Sequence, residues 1–116
     1  MAKVVTKVRV SSSTDDKILE EIKNETGCDD CDSLIWSPLP KATRIDPPEN
    51  TIAIVVDIVR SQGAIRIFEN EGDLYVDGVG TEDAGYMVII PWNTSWWFRV
   101  SGALQVGYAA GKNIAQ

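Results

Sequence analysis

The sequence predicts a mainly β protein: a small antiparallel β-sandwich, accompanied by one short N-terminal helix and a long proline-rich arm. From Thr51 to Ala110, short segments rich in apolar, β-branched and aromatic residues recur, and turn residues separate them at roughly 8–12-residue spacing. No helical periodicity alternates with these segments, as it would in a parallel α/β sheet. The length of 116 residues is enough for one hydrophobic core.

The chain is expected to divide at residue 50, into an N-terminal arm that includes the helix at 1–50 and the β-sandwich domain at 51–116. The arm begins with residues 3–10, KVVTKVRV, in which polar and apolar side chains alternate. This pattern fits a half-buried edge strand, whose basic side chains discourage unwanted pairing. It also fits an arm that reaches onto a neighbouring subunit.

A short helix is predicted for the following segment, DDKILEEIKNET. Serine and threonine hydroxyls precede it as N-cap candidates, and its first two acids suit the positive N-terminal end of a helix. Gly27 is placed to end the helix. Ile18, Leu19 and Ile22 form a narrow apolar stripe, which can hold the helix against one surface.

The segment at 28–50 is predicted to be loop-like, because four prolines at positions 38, 40, 47 and 48 disfavour regular structure. Its apolar residues at 34–36 and 39 would hold it on a surface. Two interpretations remain open. The segment is either a long ordered arm that clasps a neighbour or a meander around its own domain.

Six strands are predicted in the second half of the chain, and together they favour a jelly-roll-like sandwich. They are Ile52–Arg60, Ala64–Glu69, Asp73–Asp77, Tyr86–Ile90, Ser95–Val100 and Ala103–Ala109. Acids near the middle of this region, at 73, 77, 82 and 83, lack the spacing of a calcium loop. They are expected to face solvent.

The charge of the chain is concentrated in one segment. Residues 15–32 carry eight acids against two lysines, which accounts for the whole net charge of −6, and the nine acids and nine basic residues of the rest of the chain cancel. An acidic chain repels phosphate backbones, so no nucleic-acid partner is expected. Residues 1–25 lack the layout of a signal peptide, and the longest apolar run, Ile52–Val56, is far short of the ~20 residues that span a bilayer. No membrane partner is expected either.

The residues that usually carry chemistry are scarce. The chain has no histidine, which removes the commonest general base and zinc ligand. We therefore expect no enzyme activity and no cofactor. Cys28 and Cys31 are spaced as two zinc ligands, but a closed site needs four. Reduced thiols, a local disulfide and a metal site remain as interpretations of this pair.

The aromatic cluster is the best candidate contact surface. In a strand, the side chains of Trp96 and Phe98 share one face, and those of Trp97 and Arg99 share the other. If the first pair is core, then Trp97 stands outside beside Arg99, with Trp92 in the preceding turn. An exposed tryptophan pair is a typical anchor for a protein partner or a sugar ring.

The alternative is that both faces of this strand are covered by the segment at 28–50, with Trp36 joining the cluster. The candidate partner-binding residues are therefore Trp36, Trp92, Trp97 and Arg99.

Residues 64–111 resemble small β-sandwich virion proteins of tailed bacteriophages. The resemblance is carried by the turn Asn70-Glu71-Gly72-Asp73 with its Leu-Tyr-Val strand, by the proline turn at Ile89-Ile90-Pro91, by the aromatic strand, and by Leu-Gln-Val-Gly-Tyr-Ala-Ala-Gly at 104–111. It covers less than half of the chain, and residues 1–50 have no counterpart in it. Such proteins are commonly capsid decoration (cement) proteins, head fibres or tail-associated modules.

The resemblance implies a non-enzymatic virion protein, assembled in the host cytoplasm, that stabilises the capsid shell at subunit junctions. Its implied partners are the major capsid protein or other virion subunits, and it would be a homo-oligomer, with a trimer favoured. The alternative function is a host-surface or carbohydrate-binding module of a phage tail or head fibre, with Trp92 and Trp97 stacking on sugar rings.

Overall fold

The structure of the chain, a computed structural model, describes residues 7–11, 14–28, 33–59, 63–80 and 83–111. Within these residues lie one α-helix, α1 (Asp15–Thr26), and nine strands: β1 (Val8–Val10), β2 (Ser33–Leu39), β3 (Ala42–Ile45), β4 (Thr51–Asp57), β5 (Ile65–Glu69), β6 (Tyr75–Val79), β7 (Met87–Pro91), β8 (Trp96–Val100) and β9 (Leu104–Ala110). A 3-10 turn, Glu71–Asp73, joins β5 to β6. The prediction of a mainly β fold with one helix is confirmed.

The strands form two antiparallel sheets. The first sheet has five strands in the order β1-β7-β4-β9-β2, and the second has four in the order β3-β8-β5-β6. Apolar side chains from both sheets, including Ile54 and Phe98, form one buried cluster. The two sheets therefore pack as the layers of a sandwich around a shared core.

The first sheet is covered on both faces. Ile54 and Val56 of β4 lie in the core between the sheets, whereas Ala53 and Val55 lie in a second apolar cluster with two isoleucines of α1. Burial on both faces explains why β4 reads as a continuous apolar run rather than as an alternating strand. In the described part of the chain, no helix covers the outer face of the second sheet.

Helix α1 has the caps that its sequence predicts. The hydroxyl oxygen of Thr14 accepts a hydrogen bond from the N–H of Lys17 at 3.4 Å. Gly27 ends the helix with a left-handed φ of 73°, which glycine adopts without steric cost. Ile18 and Ile22 are buried against the first sheet. No helix in the described ranges is both long enough and apolar enough to cross a membrane.

The loop predicted for 28–50 is wrong over 33–45, where the structure has β2 and β3. β2 pairs with β9 along its whole length, and β3 pairs with β8. Each is the outermost strand of its sheet. An edge strand tolerates proline because one of its sides makes no ladder hydrogen bonds, and Pro38 lies within β2. β2 and β3 lie before the boundary predicted at residue 50, and β8 and β9 lie after it. The pairings therefore join the two parts of the chain.

β1 is an edge strand of its own chain, paired with β7; residues 3–6 of the predicted strand lie outside the described residues. Two basic side chains connect β1 and the residue before it to β6 and to the segment that follows β6. Arg9 Nε donates to Asp83 Oδ1 at 2.6 Å, and Lys7 Nζ donates to the carbonyl of Gly78 at 3.0 Å. Asp83 is fully buried, so the prediction that it faces solvent is wrong. Its buried charge is compensated by Arg9.

Replacing Arg9 with alanine is expected to lower the free energy of unfolding by about 1–3 kcal/mol. The buried carboxylate of Asp83 would retain the N–H of Gly80, at 3.2 Å, as its described partner. Urea denaturation followed by tryptophan fluorescence measures the loss. The control is Lys7→Ala, directly before the same strand; the Lys7 ammonium lies 3.6 Å from the partly exposed Asp77. That variant is expected within ~1 kcal/mol of the wild type, and an equal loss in both variants would contradict the prediction.

Candidate functional site

The outer face of the second sheet carries a layer of stacked aromatic and arginine side chains. The rings of Phe68 and Trp97, at paired positions of β5 and β8, stack with centroids 4.7 Å apart. The guanidinium of Arg44 lies 4.8 Å from the centre of the Trp97 ring, and that of Arg99 lies 5.0 Å from the centre of the Phe68 ring. Together with Arg66, these four residues are called the arginine–aromatic face.

Two arginines of this face stand directly opposite each other on neighbouring strands. Arg66 and Arg99 occupy directly paired positions of β5 and β8, and both are exposed. In the described part of the chain, neither forms an ion pair with a carboxylate; Arg99 Nε donates to the carbonyl of Thr43 at 3.5 Å. Like charges directly opposite each other destabilise a sheet. An anionic partner would relieve this repulsion.

Within this layer, Trp97 lies beneath the other side chains and is only 5% exposed. The interpretation in which it stands outside beside Arg99 is therefore wrong. The alternative of a covered face is right, although Trp36 is not part of the cover. Strand alternation does place it on the outer face, with Trp96 and Phe98 on the buried inner face as predicted. The outer face is covered, because Phe68 and two guanidinium groups lie against the indole ring.

The buried position of Trp97 leaves one polar group unsatisfied. Its indole Nε1 has no hydrogen-bond partner among the described residues. A buried donor without a partner costs about 1–3 kcal/mol. A bound molecule that placed an acceptor at this N–H would offset the cost. If that molecule were anionic, it would also relieve the repulsion between the two arginines.

Arg44 links the arginine–aromatic face to the loop that follows β3. Its Nε and Nη2 donate to the two carboxylate oxygens of Asp46 at 3.0 and 3.1 Å, and Nη2 also donates to Asn70 Oδ1 at 3.0 Å. The hydrogen bonds to Asp46 raise the pKa of the Arg44 guanidinium above its ordinary value. The arginine therefore fixes the orientation of the Asp46 carboxylate while it stacks on Trp97.

A large exposed side chain, Tyr75, borders the arginine–aromatic face, and the exposed Leu74 precedes it in the chain. Leu74 is 66% exposed and Tyr75 is 60% exposed, and the Tyr75 ring meets Phe68 edge to face at 5.8 Å. Protein interfaces are enriched in aromatic residues and arginine, and tyrosine, tryptophan and arginine supply much of their binding energy. The face and its border therefore have the chemistry of a protein-docking surface for an anionic partner.

A separate groove lies between the loop after β3 and the loop after β7. It has a volume of about 410 Å³ and is lined by Asp46, Pro47, Pro48, Glu49, Trp92, Thr94 and Trp96. Trp92 is half-buried and meets Trp96 and Phe98 at nearly right angles, with ring centroids 5.5 and 5.8 Å apart. This cavity is called the Trp92 groove. Its volume falls in the range of ligand pockets, ~300–1,000 Å³.

Trp36, another predicted contact residue, lies apart from both surfaces. Its indole N–H donates to Asp15 Oδ1 at the start of α1, at 3.2 Å. Its ring lies against Gly107 of β9, where a Cβ atom would come within 3.2 Å of two ring atoms. The glycine therefore permits this close approach, and Trp36 connects the helix to the edge of the first sheet.

Of the cysteine pair, only Cys28 lies within the described residues. Cys28 is disulfide-bonded and packs against the apolar cluster beneath α1. A disulfide sulfur is not a thiolate, so in this state Cys28 is not a metal ligand. Among the described residues, no group of three cysteine or acidic side chains is arranged to hold a metal ion. Cys31 is outside the described ranges.

No protein-family model, curated protein or solved structure matches the chain. The residues of the two surfaces therefore indicate what the chain can bind. The arginine–aromatic face offers positive charge and stacked rings to an anionic partner. The Trp92 groove offers an aromatic wall with carboxylate and hydroxyl groups.

Three residues of the arginine–aromatic face were not predicted from the sequence: Arg44, Arg66 and Phe68. Alternation within IRIFE places Arg66 and Phe68 on one side of β5 and the two isoleucines on the other, so a signal for this pair exists. No sequence signal indicates that β5 lies beside β8. The stacking of Phe68 on Trp97 depends on that pairing.

Proposed function

We propose that the chain is a non-enzymatic structural protein of a phage virion that decorates the capsid shell and docks on it through the arginine–aromatic face. The observation that carries the proposal is the opposed pair Arg66 and Arg99, exposed and without a carboxylate partner in the described part of the chain. In an isolated chain, the repulsion between the two guanidiniums only destabilises the sheet. A partner that presents carboxylates to both guanidiniums converts it into attraction.

The strand order supports a jelly roll as the finer description of the fold. The eight strands from β2 to β9 are ordered β2-β9-β4-β7 in the first sheet and β3-β8-β5-β6 in the second. This is the order in which two Greek keys wind an eight-stranded jelly roll, an architecture used by viral capsid domains and lectins. β1 adds one further strand at the edge beside β7. The fold alone does not assign the function.

The partner is an acidic patch on the major capsid protein or on another virion subunit. Arginine binds carboxylates in a fork geometry, and the exposed Tyr75 beside the face adds aromatic contact area. A standard interface of ~1,600 Å² gives stable attachment. Placed at a junction between capsid subunits, such an interface holds the shell together.

The proposed assembly is a homo-oligomer, with a trimer favoured because three copies suit a junction between three capsid subunits. Analytical ultracentrifugation of the purified chain determines its oligomeric state. The proposed location is the virion, assembled in the host cytoplasm.

Co-sedimentation tests the proposed function. The purified chain is mixed with undecorated capsids of the phage that encodes it and is centrifuged through a sucrose gradient. We expect saturable binding near 0.1 M salt and weaker binding near 1 M salt, where the Debye length falls from ~10 Å to ~3 Å. No binding to the capsids, together with absence of the chain from purified particles, would contradict the proposal.

A further inference from the structure

We infer that the Trp92 groove binds a neutral pyranose sugar. The groove is distinct from the arginine–aromatic face: its walls come from the loops after β3 and β7 and from the first residue of β8. This binding site goes beyond the proposed attachment to a capsid. Its test uses the isolated chain, so its outcome does not depend on whether the chain binds capsids.

The aromatic wall of the groove is held in a fixed orientation. Trp92 contacts two buried rings, Trp96 and Phe98, at interplanar angles of 88° and 85°. Its backbone N–H donates to the carbonyl of Ile52 at 2.9 Å. Trp92 is nevertheless only half-buried, so part of it remains available to a ligand. The C–H groups of a pyranose ring pack well on an indole that is already oriented, because little conformational freedom is then lost on binding.

The polar groups of the groove suit sugar hydroxyls. Both carboxylate oxygens of Asp46 already accept from Arg44, which fixes their direction, and the Asp46 side chain remains 60% exposed. Each oxygen keeps further acceptor capacity. Glu49 adds a second carboxylate, and Thr94 adds a hydroxyl that both donates and accepts. Sugar hydroxyls can donate to the carboxylates.

The charge of the groove selects against anionic sugars. Two of its lining residues, Asp46 and Glu49, carry carboxylates, and none of the described lining residues is basic. Arg44 lies beside one of these carboxylates and partly balances it. An added sugar carboxylate would face the unbalanced Glu49, and like charges brought together lower affinity. A neutral hexose or N-acetylhexosamine is therefore the ligand class that fits.

Hydrogen bonds hold the loops that form the groove. Ser95 N–H donates to Asn93 Oδ1 at 2.9 Å, and the Ser95 hydroxyl donates to Glu69 at 2.7 Å. The indole N–H of Trp96 donates to the other carboxylate oxygen of Glu69 at 3.2 Å. Thr51 N–H closes the opposite loop on the carbonyl of Pro48 at 3.0 Å. A groove whose walls are held by hydrogen bonds needs little rearrangement to accept a ligand.

The test follows the four tryptophan indole N–H resonances by proton–nitrogen NMR during titration with glucose, galactose and N-acetylglucosamine. We expect the Trp92 resonance to shift progressively with at least one of them, with a dissociation constant on the order of millimolar. Glucuronate, which adds a carboxylate, is expected to bind at least several-fold more weakly than glucose. No shift with any of the three neutral sugars overturns the inference, and so does equal or tighter binding of glucuronate.

Variants locate the site. Trp92→Ala is expected to weaken binding by at least ~10-fold, read from backbone resonances of the two loops. Because this change also removes packing on Phe98, Glu49→Gln serves as a second variant at an exposed position. It is expected to narrow the preference for glucose over glucuronate. An unchanged preference in Glu49→Gln, or wild-type affinity in Trp92→Ala, contradicts the inference.

The matched control is Tyr86→Ala. Tyr86 is an exposed aromatic residue, 42% accessible, that precedes β7, whereas Trp92 follows it. The two residues therefore lie at opposite ends of the same strand. Sugar binding is expected to be unchanged in this variant, and a loss equal to that of Trp92→Ala would show that the shifts do not report on the groove.

Discussion

Replacing Arg66 and Arg99 together by glutamate is expected to weaken co-sedimentation with capsids by at least ~100-fold. Both guanidiniums are exposed on neighbouring strands and point to the same side of the sheet. Removing one member of a desolvated charge pair at an interface costs about 2–5 kcal/mol, and placing like charges opposite each other adds repulsion. Binding isotherms of the variant and the wild type at equal salt measure the change.

The control for this experiment is Lys17→Glu with Lys23→Glu on α1. These two changes alter the net charge by the same amount, but the helix packs on the first sheet, on the opposite side of the sandwich. Capsid binding is expected to stay within a few-fold of the wild type, as for rim charges. An equal loss in both pairs would indicate a general charge effect.

If the wild type binds capsids and the arginine variant binds equally well, the docking face is wrong while the proposed function stands. If the wild type itself does not bind, the proposed function fails. The variant is expected to remain folded, since an exposed cation–π contact such as that of Arg99 with Phe68 contributes only about 0.5–1 kcal/mol. Its circular dichroism spectrum checks this.

Replacing Trp97 with alanine is expected to lower the free energy of unfolding by about 3–5 kcal/mol, as for other buried large-to-small changes. The side chain is 5% exposed and stacks on Phe68, so its removal leaves a cavity beneath Arg44 and Arg99. A domain of this size is stabilised by only about 5–15 kcal/mol. Denaturation by guanidinium chloride, followed by circular dichroism, measures the loss.

The matched variant is Trp97→Phe. It keeps an aromatic ring against Phe68 and removes the indole N–H that has no described partner. Its cost is expected to be less than half that of the alanine variant, because the unsatisfied donor is lost together with part of the packing. If the alanine variant is as stable as the wild type, Trp97 is not buried in solution, and the exposed position, one of the two interpretations of the sequence, is right.

The local features of the fold could be predicted from the sequence because they depend on neighbours along the chain. Thr14 and Gly27 cap α1 at the positions that their chemistry favours. The period of two places Trp96 and Phe98 on the opposite side of β8 from Trp97, and their burial was predicted correctly. Each of these features depends on residues that lie within a few positions of one another in the sequence.

The edge strands could not be predicted in the same way. Leu34, Ile35 and Trp36 do not alternate with polar residues, and the prolines that follow them disfavour a strand. Only pairing with β9 makes Ser33–Leu39 a strand, and only its position at the sheet edge makes Pro38 tolerable. The same limit applies to Asp83, which is buried because Arg9 of a distant strand compensates its charge.

The sequence by itself therefore determined the class of fold, the helix with its caps, and which side chains of β8 share a face. The tertiary structure alone decided what covers each face. Phe68 and Arg44 come to Trp97 from other strands and bury it, while Trp92 lies on the other side of the sheet beside Asp46 and Glu49. Periodicity specifies the direction of a side chain, but its neighbours depend on contacts between residues far apart in the chain.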